Sequence, residues 1–76
     1  MRHVFKATII GWNEEKEGIW FDADKYTKEE AEAQFKPYQG TTQKGHSYIG
    51  YEYGGKKYHD YTYIGLFKDN EMPMDV

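Results

Sequence analysis

The sequence predicts an α+β fold: one antiparallel sheet with a single short helix packed on one face, in the order β-β-α-β-β. Three observations carry it. They are a β-branched and aromatic N-terminal run, a helix-capping motif at Thr27, and a Gly54-Gly55 pair between two tyrosine-rich segments. A partly open barrel plugged by the helix is the alternative architecture for the same elements. With 76 residues and no cysteine, the chain is read as one domain over 1–68 with a flexible tail at 69–76. A chain this short buries only about 60% of its unfolded surface, so its stability should lie at about 4–11 kcal/mol. Charged residues make up 30% of it, yet 18% are aromatic, which a disordered chain would not carry.

Residues 3–12 place Phe5, Ala7 and Ile9 on one face and Val4, Thr8 and Ile10 on the other. Apolar groups on both faces mark a central strand. The polar stretch 13–18 ends in Gly18 and reads as a hairpin loop, returning into a second strand at 19–22. Thr27 and Glu30 then form a capping box, in which each side chain satisfies the other residue's backbone N–H. Ala31 and Phe35 give the helix a narrow apolar stripe, and Pro37 ends it near Lys36. Residues 39–46 are a loop by composition. Segments 47–53 and 56–67 flank the two glycines, which accept the positive φ of a type I′ turn. A two-residue turn pairs Tyr53 with Lys56, Glu52 with Lys57, Tyr51 with Tyr58, Gly50 with His59 and Tyr48 with Tyr61. Opposite charges and paired tyrosines favour that register.

Composition narrows the function classes. No segment approaches the ~20 apolar residues of a membrane span, and no leader is recognisable, so a cytoplasmic location is expected. The net charge of -3 opposes general duplex-DNA binding, which needs a basic excess. Catalysis is not expected: Ser47 has no sequence cue to a base, and His3, His46 and His59 are scattered. Asp22 and Asp24 open like a calcium loop, but Thr27 and Ala33 stand where glycine and glutamate are required. Neither a metal nor a cofactor is expected. The glycines and lysines of 50–57 sit between strands rather than opening a helix, so they are a turn and not a phosphate loop.

Two features remain as candidate binding surfaces. With an unbroken strand alternation, Ile49, Tyr51, Tyr53, Tyr58, Ile64 and Leu66 face the helix. Tyr48, Tyr61, Tyr63, Phe67, His46 and His59 then share the opposite, partly exposed face as an aromatic interaction surface. The second feature is an acidic patch: Glu14, Glu15, Glu17, Asp22, Asp24, Glu29, Glu30 and Glu32 stand against only Lys16, Lys25 and Lys28. Solvation of a loop and service at a helix start explain much of that acidity. The expected function is a small non-enzymatic protein-interaction domain, with a basic protein as a fitting partner. An accessory protein of a phage or mobile element, or an inhibitor filling the basic groove of a nucleic-acid enzyme, would have this composition. One alternative is a single-stranded nucleic-acid binder that stacks bases on the tyrosines and reaches phosphates with Lys44, Lys56 and Lys57. Another is a homodimer joined through the aromatic face.

Overall fold

The structure, a computed structural model, describes residues 1–11, 13–41 and 44–71. Strands β1 (Arg2–Ile9) and β2 (Lys16–Asp22) are followed by helix α1 (Lys28–Glu32) and by β3 (Lys36–Thr41), β4 (Ser47–Tyr53) and β5 (Lys56–Phe67). The five strands form one antiparallel sheet in the order β2-β1-β5-β4-β3. The fold is mostly sheet, and the helix is minor. Parts of the expected first strand (Trp12), of the 39–46 loop (Thr42 and Gln43) and of the tail (residues 72–76) lie outside the described residues.

Several expected elements stand where their residues put them. β1 lies between β2 and β5 and buries Val4 and Thr8 on one face and Phe5 and Ala7 on the other. Thr27 caps α1: its hydroxyl accepts from the Glu30 N–H, and the Glu30 carboxylate accepts from the Thr27 N–H, both at 3.1 Å. A threonine cap of this kind is worth about 0.5–2 kcal/mol against alanine. Gly54 and Gly55 have φ of 59° and 81°, and the ladder beside them pairs Tyr51 with Tyr58, Glu52 with Lys57 and Tyr53 with Lys56. Glu52 and Lys57 close an ion pair at 3.2 Å.

The element order needs a correction. A fifth strand, β3, occupies residues expected to end the helix and open the loop, so the order is β-β-α-β-β-β. The helix stops at Glu32: Pro37 drives the residue before it into extended backbone, and Ala33, Gln34 and Phe35 make the turn between. Polar composition disguised β3, since an edge strand with little cover tolerates Gln39, Thr41 and a proline. β2 also begins earlier than expected, at Lys16, where the ladder continues to Thr8↔Lys16.

The larger correction concerns β5. Along β1, Ile9 faces Tyr58 but Thr8 faces Asp60, and Phe5 faces Tyr63 but Val4 faces Gly65. Each jump leaves an extra residue on β5, a β-bulge at His59 and another at Ile64. A bulge shifts the alternation by one residue and exchanges the two faces. Tyr61 and Tyr63 therefore join Tyr58 on the helix side instead of opposing it. The core cluster is Phe5, Ala7, Ile19, Phe21, Ala31, Phe35 and Tyr58, with Tyr26, Tyr51, Tyr53, Tyr61 and Tyr63 packed against it. Ile49, Ile64 and Leu66, expected in the core, are exposed.

Candidate interaction surfaces

The rings expected to form one exposed face are distributed over three places. Tyr61 stacks on Phe35 with centroids 4.4 Å apart and meets Tyr51 edge-on at 4.8 Å. Tyr63 packs edge-on against Phe5 at 5.2 Å, and its hydroxyl donates to His3 Nδ1 at 3.0 Å. His3 Nε2 donates to the Tyr26 carbonyl at 3.0 Å, which fixes the neutral ring as the Nε2–H tautomer. That relay ties β1, β5 and the lead into α1 together, so Tyr63 is an internal brace. Phe67 lies opposite Arg2 at the far end of β5, His59 is half-buried at the first bulge, and His46 is exposed before β4. Only Tyr48 lies in the outer half of β4, beside Tyr38 at 6.1 Å. A base stacking on Tyr61 would have to displace Phe35 from that ring face.

Burial changes the chemistry of two tyrosines. The hydroxyl of Tyr58, whose ring is 1% exposed, is 3.5 Å from the Glu17 carboxylate. Burial first, and then the Glu17 charge, hold its pKa above the usual value of 10.0. Burial and then Glu32 do the same for Tyr61. Both phenols are neutral at physiological pH; Tyr58 sits in the core with its hydroxyl on Glu17, and Tyr61 packs against the core.

The acidic residues do not converge either. Glu14 and Glu15 lie before β2, and Asp22 and Asp24 lie at its other end, about 20 Å away at ~3.3 Å per strand residue. Several have structural duties. Glu17 pairs with Lys56 at 3.2 Å, Glu32 with Lys28 at 3.6 Å, and Asp22 Oδ1 accepts from the Asp24 N–H at 2.9 Å. Glu29 and Glu30 occupy the first turn of α1. Among the described residues no three metal-ligating side chains come together, and no helix is long and apolar enough to cross a membrane. Ser47 faces Thr41 across the β3–β4 ladder.

Two surfaces were missed by the sequence reading. The first is an arm. Among the described residues β4 ladders with β5 from Tyr51 to Tyr53, while Ser47–Gly50 ladder with β3 alone, so the β3–β4 pair continues past the β4–β5 ladder. The molecule is correspondingly long, 42 × 24 × 16 Å. On one face of the arm Tyr38 and Tyr48 close over Gly40, where a Cβ would come within 2.6 Å of the Tyr48 hydroxyl, and Lys57 Nζ stands 4.8 Å above the Tyr38 ring. On the other face Ile49, opposite Gln39, is 79% exposed. The alternation correctly puts it on the side of Tyr51, but α1 is too short to cover it. Pro37 was the available signal, because it stops the helix early and leaves 38–41 free to extend.

The second surface is the free edge of β2. Beside it lies a groove of about 260 Å³ lined by Glu17, Gly18, Ile19, Trp20, Tyr53, Gly54, Lys56 and Tyr58. Trp20 is 46% exposed, with the Arg2 guanidinium 3.8 Å from its ring centroid. Compared with protein-family models, with curated proteins and with solved structures, the chain matches none.

Proposed function

We propose that this chain is a non-enzymatic protein-binding domain whose contact element is the β3–β4 arm. The observation that carries this reading is Ile49, a large aliphatic side chain 79% exposed on the outer part of the arm, residues 38–41 and 47–50, none of which belongs to the core cluster or packs against it. A two-stranded ribbon is marginal by itself in water. Tyr38, Tyr48 and Gly40 brace this one from the opposite face, which leaves Ile49 displayed rather than buried. The exposed Gln39, Thr41 and Ser47 around it supply the polar rim of a small interface with an apolar anchor at its centre. The complementary partner is a protein surface with an apolar socket rimmed by hydrogen-bonding groups.

The test is affinity capture from an extract of the source cells with wild type and Ile49→Asp in parallel. A specific protein retained by wild type and lost with the variant, at an unchanged melting temperature, is the expected result. Identical captured sets, or recovery of single-stranded nucleic acid in place of a protein, would overturn the proposal.

A further inference from the structure

A separate element, the free edge of β2, supports an inference that does not depend on the arm. The ladder is flanked by the bonds Ile9 N–H to Glu15 O at 2.7 Å and Ala23 N–H to Met1 O at 2.9 Å. Between them the register runs unbroken from Arg2↔Asp22 to Thr8↔Lys16. In an antiparallel ladder alternate residues bond across, so Glu17, Ile19 and Phe21 direct their backbone groups to β1. Lys16, Gly18, Trp20 and Asp22 direct theirs outward. The Asp22 carbonyl is taken by the N–H groups of Lys25 and Tyr26. Among the described residues the N–H and C=O groups of Lys16, Gly18 and Trp20 have no backbone partner.

Sheet edges of this kind are normally blunted by charge, proline or cover. The other edge, β3, carries Pro37. β2 carries neither charge nor proline at its centre, Gly18-Ile19-Trp20-Phe21.

We infer that β2 is a self-association edge, pairing antiparallel with β2 of a second copy across a two-fold axis at Ile19. The sequence of the strand selects this occupant. Paired end to end with itself, Lys16-Glu-Gly-Ile-Trp-Phe-Asp22 sets Lys16 opposite Asp22 of the second copy at both ends. It sets Gly18 opposite Trp20 of the second copy, so each indole covers a position that has no side chain. All of these are outward-facing residues, so Gly18 and Trp20 exchange both backbone bonds across the axis. Sliding the register by two residues in one direction brings Asp22 against Glu14 of the second copy. Sliding it the other way leaves the strand ends unpaired. The Lys16 ammonium donates once within its own chain, to Thr8 Oγ1 at 3.0 Å, and keeps two protons for the carboxylate across the axis. The product is an isologous dimer with one continuous ten-stranded sheet.

Sedimentation equilibrium of the full chain over a concentration series tests this. The wild-type mass should rise from 9.0 kDa toward twice that value. Lys16→Glu and Asp22→Lys, each placing like charges at both ends of the interface, should weaken dimerisation at least about tenfold. An equimolar mixture of the two variants should dimerise again, because the introduced charges then face each other. The chain has no cysteine, so Gly18→Cys/Trp20→Cys reports the register without depending on how either charge variant folds. Oxidation should join position 18 of one copy to position 20 of the other, as paired Cα atoms about 5.5 Å apart allow. A wild type that stays monomeric at millimolar concentration would overturn the inference. So would a dimer that Lys16→Glu leaves intact, or an oxidised product lacking the 18-to-20 link.

Discussion

Replacing Gly50 with Ala is expected to destabilise the domain by about 3 kcal/mol, although it adds only one methyl group. β4 leaves β5 at this residue: the ladder ends at Tyr51↔Tyr58, and β5 then bulges at His59 and turns to β1. The Tyr58 carbonyl oxygen lies beside Gly50, and a Cβ there would collide with it. The obstructing atom is backbone, held between two ladders, so no rotamer change relieves the collision. Ile10 closes the remaining side, its Cδ1 3.4 Å from the same point. Relief requires separating β4 from β5, which also releases Tyr51 from Tyr61. Gly11, where an added Cβ meets nothing within 4 Å, is the control, and its Ala variant should stay within about 0.5 kcal/mol of wild type. Urea titrations of the two variants make the comparison.

Phe35→Ala should cost about 3–5 kcal/mol. The residue follows α1 in the tight turn before β3, and its ring is the hub of the core. It stacks on Tyr61 at 4.4 Å and meets Phe5 at 5.3 Å, Tyr53 at 5.4 Å, Phe21 at 6.0 Å and Tyr58 at 6.4 Å. Those partners come from β1, β2, β4 and β5, so one truncation loosens the helix against four strands together. Against a total of about 4–11 kcal/mol, a loss of that size leaves a visibly unfolded fraction without denaturant. Near-ultraviolet circular dichroism should show it as a collapse of the aromatic signal. Phe35→Leu keeps most of the buried area while losing the ring contacts, each worth about 0.5–1.5 kcal/mol, and should fall between wild type and the Ala variant.

Sequence legibility followed the range of the interactions involved. The Thr27–Glu30 capping box and the Gly54-Gly55 turn are written within a few consecutive residues, and both stand as their residues demand. The register beside the turn follows from its length, down to the Glu52–Lys57 ion pair. The alternation then carried correctly along β5 only as far as Tyr58. The bulge at His59 arises where β5 changes partner from β4 to β1, a tertiary event with no local sequence signature. One extra residue there moved Tyr61 and Tyr63 from the expected binding face to the side that packs against the core. Ile49 failed for a different reason. Its face was right, but burial depended on the reach of a helix that ends at Glu32. The acidic residues were counted correctly, yet their dispersal followed from the length of β2 and from pairings such as Glu17–Lys56, across the fold.

The division between an internal aromatic cluster and a displayed arm is tested most directly by urea unfolding of Tyr61→Ser beside Ile49→Asp. With Tyr61 stacked on Phe35, its truncation should remove about 2–4 kcal/mol. The Ile49 change, on an exposed side chain, should stay within about 0.5 kcal/mol of wild type. The reverse ranking, with Tyr61→Ser neutral and Ile49→Asp unfolding the chain, would put the tyrosine face back in solvent and contradict the proposed binding arm.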